Sequence, residues 1–128
     1  MYVLIIDDDP IVQLIHKNLI KRRRIENNPL QFTYAADAID FILKNKDEHF
    51  LIFLDLNMPK MDGWEFLNHI KRLDLEIRTS IIIVTSSIAQ SDEIKAREYS
   101  NVIKYYMKPL NNEMLNEIEL IFNLNKQS

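Results

Sequence analysis

The segment Leu51-Ile-Phe-Leu-Asp55-Leu-Asn-Met-Pro59-Lys-Met-Asp-Gly63 limits the possible folds more than any other stretch of the chain. An apolar run stops at a single carboxylate, and a proline and a glycine follow within eight residues. Such a run is a buried strand that carries Asp55 to the carboxyl end of a sheet. The pattern recurs at Val3-Leu-Ile-Ile-Asp7-Asp8-Asp9, at Ile81-Ile-Ile-Val-Thr85 and at Tyr105-Tyr-Met-Lys108-Pro109. In an open α/β sheet, ligands bind beyond the carboxyl ends of the strands. Carboxylates, a hydroxyl and an ammonium gathered there make a site for a divalent cation and a phosphoryl group.

Between these runs lie segments of helical period. Tyr2 to Ile6 reads as strand 1. A helix follows to about Arg24, with Asp9 as its cap, Pro10 in its first turn, and an apolar stripe of Ile11, Leu14, Ile15, Leu19 and Ile20. Asn27-Asn28-Pro29 breaks the chain, and Gln31 to Tyr34 is a weaker strand 2. Asp37 to Lys44 is helix 2, burying Ala38, Phe41 and Ile42, and Phe50 to Leu54 is strand 3. Asp62-Gly-Trp-Glu65 has the spacing of a capping box and opens helix 3, with Phe66, Leu67 and Ile70 inward. Ser80 to Val84 is strand 4. Helix 4, about Ser91 to Tyr99, is weakly amphipathic, with Ile94 its one large aliphatic residue. Ile103 to Met107 is strand 5, and Asn111 caps a fifth helix with Met114, Leu115, Ile118, Ile121 and Phe122 inward. Five strands alternating with five helices predict an α/β fold, a doubly wound parallel sheet with helices on both faces.

With 128 residues the chain is expected to be a single domain, its core running from about residue 2 to 122 and its tail from Asn123 frayed. A domain of this size buries roughly two-thirds of its unfolded surface. The net charge of −3 provides no basic field to gather nucleic acid. No cysteine is present, which excludes disulfides and thiolate metal sites. No apolar stretch nears the ~18 residues of a membrane span, and the N-terminus reads as a strand, not a signal peptide, so a soluble cytoplasmic protein is expected. Gly63 is the only glycine, which rules out every Gly-rich phosphate loop.

Asp7, Asp8 and Asp55 fall at the ends of strands 1 and 3, which right-handed crossovers tend to place side by side. Clustered carboxylates repel one another and need a cation. An oxygen-only ligand set selects a hard ion, Mg²⁺ foremost. Asp55 can also attack phosphorus to give an aspartyl phosphate. In that chemistry the protein mainly positions groups and stabilises charge: Lys108 would hold one phosphoryl oxygen and Thr85 another.

These elements, in this order and spacing, resemble the receiver domain of two-component response regulators, the family that includes the bacterial chemotaxis regulator. The resemblance runs from Val3 to about Phe122. It implies a flavodoxin-like sheet in the order 2-1-3-4-5 and Asp55 as phosphoacceptor. It implies Asp8 as direct metal ligand, Asp7 acting mostly through bound water, and Asn57 offering its backbone carbonyl. Thr85 would follow the phosphoryl group, Tyr105 matches the switch aromatic three residues before the lysine, and Lys108-Pro109 would be cis. The partners implied are a histidine kinase or phosphotransfer protein and a downstream protein on the helix 4, strand 5, helix 5 face. The reaction is self-modification, not turnover of an outside substrate. No output domain is expected after the fifth helix. One departure from the family is Asn101-Val102 in place of a small Gly-Ala pair; Asn101 is expected to adopt the left-handed conformation that ends a helix.

A Mg²⁺-dependent phosphatase with an aspartate nucleophile is the enzymatic rival. Such enzymes generally place a second Asp two residues beyond the nucleophile, where this chain has Asn57, which is no carboxylic acid. A receiver that is never phosphorylated is the binding-module rival, and the complete set Asp7, Asp8, Asp55, Thr85 and Lys108 opposes it. Asp9 and Asp62 read as caps, Lys21 to Arg24 as a solvated helix end, Trp64 and Tyr106 as packing, and His16, His49 and His69 as scattered residues without a site role. The cognate kinase, the downstream target and the oligomeric state are not written in the sequence.

Overall fold

The computed structural model describes residues 1–26 and 28–122. Its elements are β1 (Tyr2–Ile6), α1 (Pro10–Arg22), β2 (Leu30–Phe32), α2 (Ala35–Lys44), β3 (Phe50–Leu54), α3 (Gly63–Arg72), β4 (Thr79–Thr85), α4 (Gln90–Ala96), β5 (Val102–Met107) and α5 (Asn112–Phe122). All paired strands are parallel, in the order β2-β1-β3-β4-β5. Residue Asn27 of the expected chain break and the expected frayed tail Asn123 to Ser128 lie outside the described residues. Among the described residues no helix is long and apolar enough to cross a membrane.

The central strands are continuous apolar runs because both faces of the sheet are covered. Successive strand residues point to opposite sides. Leu4, Ile6, Ile52, Leu54, Ile81 and Ile83 therefore join Ala38 and Ile42 of α2 with Phe66, Leu67 and Ile70 of α3 in one core. Val3, Ile5, Leu51, Phe53, Ile82 and Val84 join Ile20 of α1 with Leu115 and Ile118 of α5 in the other. Sequence-adjacent residues such as Ile52 and Phe53 thus serve different cores. Phe41 is half-buried, its ring 5.0 Å from that of Tyr2, while Ile39 takes the buried place beside Ile42.

The helix starts follow from capping chemistry. Asp9 accepts the Ile11 N–H at 2.9 Å, with Pro10 as the first residue of α1. Asp62 and Glu65 form the expected reciprocal capping box at 2.8 and 3.1 Å. The Asn111 side chain accepts the Met114 N–H at 2.9 Å at the start of α5. The ends of α1 and α3 are closed by residues at positive φ, Arg24 and Asp74. In each case the next amide reaches back five positions, Ile25 N–H to the Ile20 carbonyl and Leu75 N–H to that of Ile70. Ile25 and Leu75 are buried by this turn.

Three expectations need correction. The inward face of α1 is not the apolar stripe: Ile11, Leu14 and Ile15 are 69%, 57% and 47% exposed, and Gln13, His16 and Ile20 are buried instead. The reason is polar, because backbone groups at the carboxyl end of the sheet find their partners on that face. Ile121 of α5 is exposed, since Leu115 and Ile118 already fill the contact with the sheet. Asn101 does not adopt positive φ; its buried side chain donates instead to the Thr79 hydroxyl at 3.0 Å, which in turn donates to the Leu75 carbonyl at 3.0 Å. The register of β4 and β5 shifts beside it, between Ile81 and Ile82.

Candidate functional site: an acidic pocket closed by one lysine

Strand order sets the site. The Asp55 N–H donates to the Ile6 carbonyl at 3.0 Å and the Lys108 N–H to the Thr85 carbonyl at 2.9 Å, continuing the sheet past its strand ends. Four neighbouring strands therefore deliver Asp7 and Asp8, Asp55, Thr85 and Lys108 to one edge. Carboxylate oxygens of Asp7, Asp8 and Asp55 lie within 4.8 Å of one another. Asp7 and Asp55 are buried and Asp8 is exposed. The Lys108 ammonium bridges the buried pair, 2.8 Å from Asp7 Oδ2 and 3.1 Å from Asp55 Oδ2. The other Asp7 oxygen accepts the Asp9 N–H at 2.8 Å, and Asp55 Oδ1 accepts the Asn57 N–H at 3.3 Å.

Burial, and then the charge of Asp7, pushes the Asp55 carboxyl above its ordinary range, although Lys108 and the Asn57 N–H act against this. Burial also opposes the charge of Lys108, but hydrogen bonds to and the charges of Asp7 and Asp55 outweigh it and hold the ammonium above its usual value. Three carboxylates thus face one ammonium. The donor set is all oxygen, with no imidazole or thiolate, and it fits a hard divalent cation.

Thr85 is fully buried at the end of β4, where its hydroxyl accepts the Ser87 N–H at 3.2 Å. The Ser87 hydroxyl donates to Asp92 of α4 at 2.6 Å. Tyr105 packs its ring on the α2–α3 core, and its hydroxyl is enclosed beside Ser87. Tyr106 packs on the opposite core. Lys108-Pro109 is cis. Asn57 is exposed, and Trp64 stacks on Tyr99 at 6.0 Å with the Lys95 ammonium 4.4 Å from its ring.

Sequence reasoning missed two residues. Gln13 donates its side-chain amide to the Asp7 carbonyl. His16, one turn on, is 1% exposed and accepts the Leu110 N–H on Nε2 at 3.2 Å. The available signal was their i, i+3 spacing, continued by Ile20, which marks a face that an apolar stripe alone conceals.

Comparison with known proteins agrees with this geometry. The model of the response regulator receiver domain matches residues 3–119. A chemotaxis protein CheY homolog of Campylobacter jejuni is 30% identical over 117 residues, 91% of this chain and 88% of that protein. A two-component response regulator from Cytophaga hutchinsonii superposes with a TM-score of 0.85 at 26% identity, covering 95% of this chain and 96% of that one. The Mn²⁺-bound form of the response regulator Rcp1 superposes with a TM-score of 0.73 at 26% identity, covering 99% and 96%. With a parallel 2-1-3-4-5 sheet, an acidic pocket at its carboxyl edge and a family match over residues 3–119, the chain belongs to the receiver domains of two-component response regulators, whose general function is to be phosphorylated on aspartate.

Proposed function

We propose that Asp55 is the phosphoacceptor and that a histidine kinase or phosphotransfer protein supplies the phosphoryl group. The observation that carries this reading is the Lys108 ammonium bridging Asp7 and Asp55, with Thr85 on the next strand. An Asp55 oxygen forms the new P–O bond as the donor's P–N bond breaks, and the electron pair of that bond stays on the donor imidazole. Lys108 follows the charge on one phosphoryl oxygen, and the Thr85 hydroxyl turns to donate to another. Mg²⁺, held by Asp8, Asp55 and the Asn57 carbonyl and by Asp7 through water, would screen the attacking carboxylate from the phosphoryl oxygens. Rcp1 in its Mn²⁺-bound form supports a divalent ion at such a site. The protein modifies itself and acts in the cytoplasm, beside its kinase.

The signal leaves through protein contact at α4, β5 and α5. Only Ala96 of α4 is buried, so this helix is the least anchored and the easiest to bias. Thr85 and Tyr105 are the switch residues. The Tyr105 hydroxyl is enclosed beside Ser87, so a modest shift of the β4–α4 loop that strengthens or breaks this contact changes the balance of states.

The test is acetyl phosphate with Mg²⁺, followed by intact mass and peptide mapping. One base-labile phosphoryl group on Asp55 is expected, and none in Asp55→Asn. Labelling that persists in that variant places the acceptor elsewhere.

A further inference from the structure

The buried face of α1 carries two polar side chains where packing alone would favour apolar ones. Burying a polar group costs free energy unless it finds a partner, so each marks a backbone group that needs one. Gln13 serves the Asp7 carbonyl, and His16 serves the Leu110 N–H at 3.2 Å. Leu110 is itself buried. The segment Lys108-Pro109-Leu110 has only two backbone donors, because proline lacks an N–H. The Lys108 N–H is fixed to the Thr85 carbonyl at 2.9 Å, and the Leu110 N–H is fixed to His16. One helix face therefore holds both partners of the Asp7–Lys108 ion pair, each through its own loop.

We propose that His16 is a positioning residue for the phosphoryl chemistry of Asp55: its Nε2 accepts the Leu110 amide and so holds the segment that aims Lys108 at Asp7 and Asp55. This rests on the reading of Asp55 and Lys108 given above. The hydrogen bond requires Nε2 to be unprotonated, so the imidazole carries its proton on Nδ1. Burial, and then the nearby Lys108 charge, hold its pKa down to about 4, which keeps this acceptor intact at neutral pH.

The experiment compares wild type, His16→Phe and His16→Gln. Phe keeps the ring volume and removes the acceptor; Gln keeps an oxygen acceptor at similar reach. The readouts are the rate of Asp55 labelling by acetyl phosphate and the Mg²⁺ affinity from amide shifts. Small displacements of positioned groups cost one to two orders of magnitude in rate, so His16→Phe should label about ten-fold more slowly. His16→Gln should recover to within about two-fold of wild type, with Mg²⁺ affinity unchanged in both. His16→Phe labelling at the wild-type rate overturns the proposal. So does a His16→Gln rate as low as that of His16→Phe, which would assign the effect to ring packing. A parallel loss of Mg²⁺ affinity overturns it too, by moving the defect to the carboxylates. Failure of wild type to label at Asp55 overturns the functional reading and this proposal together. Should His16→Phe not fold, the wild-type protein decides alone: imidazole ¹⁵N shifts must place the proton on Nδ1, and a proton on Nε2 overturns the assignment.

Discussion

Replacing Gly63 by alanine should destabilise the protein by about 2 kcal/mol, and the reason is space, not backbone freedom. Gly63 does not sit at positive φ. A Cβ there would lie 2.7 Å from the Asp55 carbonyl oxygen, 2.8 Å from Leu56 Cα and 2.9 Å from a Leu56 methyl. The methyl can turn away, but the first two atoms are backbone. To restore ordinary contact, α3 and the end of β3 must separate by several tenths of an ångström. The Gly63 N–H donates to the Leu56 carbonyl at 2.9 Å, and the capping box fixes the same turn, so there is little slack. Forced overpacking of this kind typically costs about 1–3 kcal/mol, and a site bounded by backbone belongs in the upper part of that range. Alanine's better helix propensity returns less than about 1 kcal/mol at a first helical position. The net loss of about 2 kcal/mol corresponds to a Tm lower by roughly 8 °C in a domain of this size. Urea titration should show a lower midpoint at unchanged slope. Because the displaced oxygen belongs to Asp55, acetyl phosphate labelling should slow as well. A Gly63→Ala midpoint equal to that of wild type would refute the close-approach argument.

Asp55→Asn should melt higher than wild type in EDTA, since it removes a carboxylate that burial and Asp7 hold above its ordinary pKa; that cost is present at neutral pH and fades as pH falls through the folded pKa, so a gap that does not shrink on acidification or on adding Mg²⁺ counts against it. His16 acts in the opposite sense: its folded pKa of about 4 lies below the ordinary 6.5, so it contributes stability above pH 6.5 that is lost as pH falls toward 4, on the order of 3 kcal/mol in all. His16→Gln should therefore flatten stability between pH 7 and pH 4.5 relative to wild type, and parallel pH curves would contradict the assignment. Arg23 ties the end of α1 to α5, with Nε 2.6 Å from Glu119 and Nη1 3.2 Å from Asn112. Arg23→Met should lower the urea-derived stability by about 1–2 kcal/mol, and a change within error would make it an idle surface pair.

Much of the architecture was legible because it rests on strong local signals. Leu51 to Leu54 and Ile81 to Val84 can be little else than strands buried on both faces, and each ends on the polar residue that builds the site. Asp62 and Glu65 declared the start of α3 by capping chemistry alone. The buried face of α1 was not legible. Periodicity assumes that apolar residues go inward, and here Gln13 and His16 displace Ile11, Leu14 and Ile15 because two loops need hydrogen-bond partners that only the tertiary fold brings near. Asn101 misled for a related reason: local propensity favoured a left-handed turn, whereas the Thr79 hydroxyl 22 residues away claimed its amide. Positive φ fell instead to Arg24, Lys60 and Asp74, of which only the aspartate is of a type that readily takes it.

The partition of the strand residues between two cores has a consequence for how substitutions combine. The sheet acts as a wall, so that Ile52 and Phe53, bonded neighbours, belong to separate cores. Truncations on opposite sides of that wall should sum nearly independently, whereas two on one side should compensate or compound. The carboxyl edge is the place where the partition ends. Lys108 arrives there on a segment held by α1, while Thr85 and Ser87 lead to α4 on the other side. Strain introduced in either compartment can reach the other with least obstruction through the cluster of charges around Asp55.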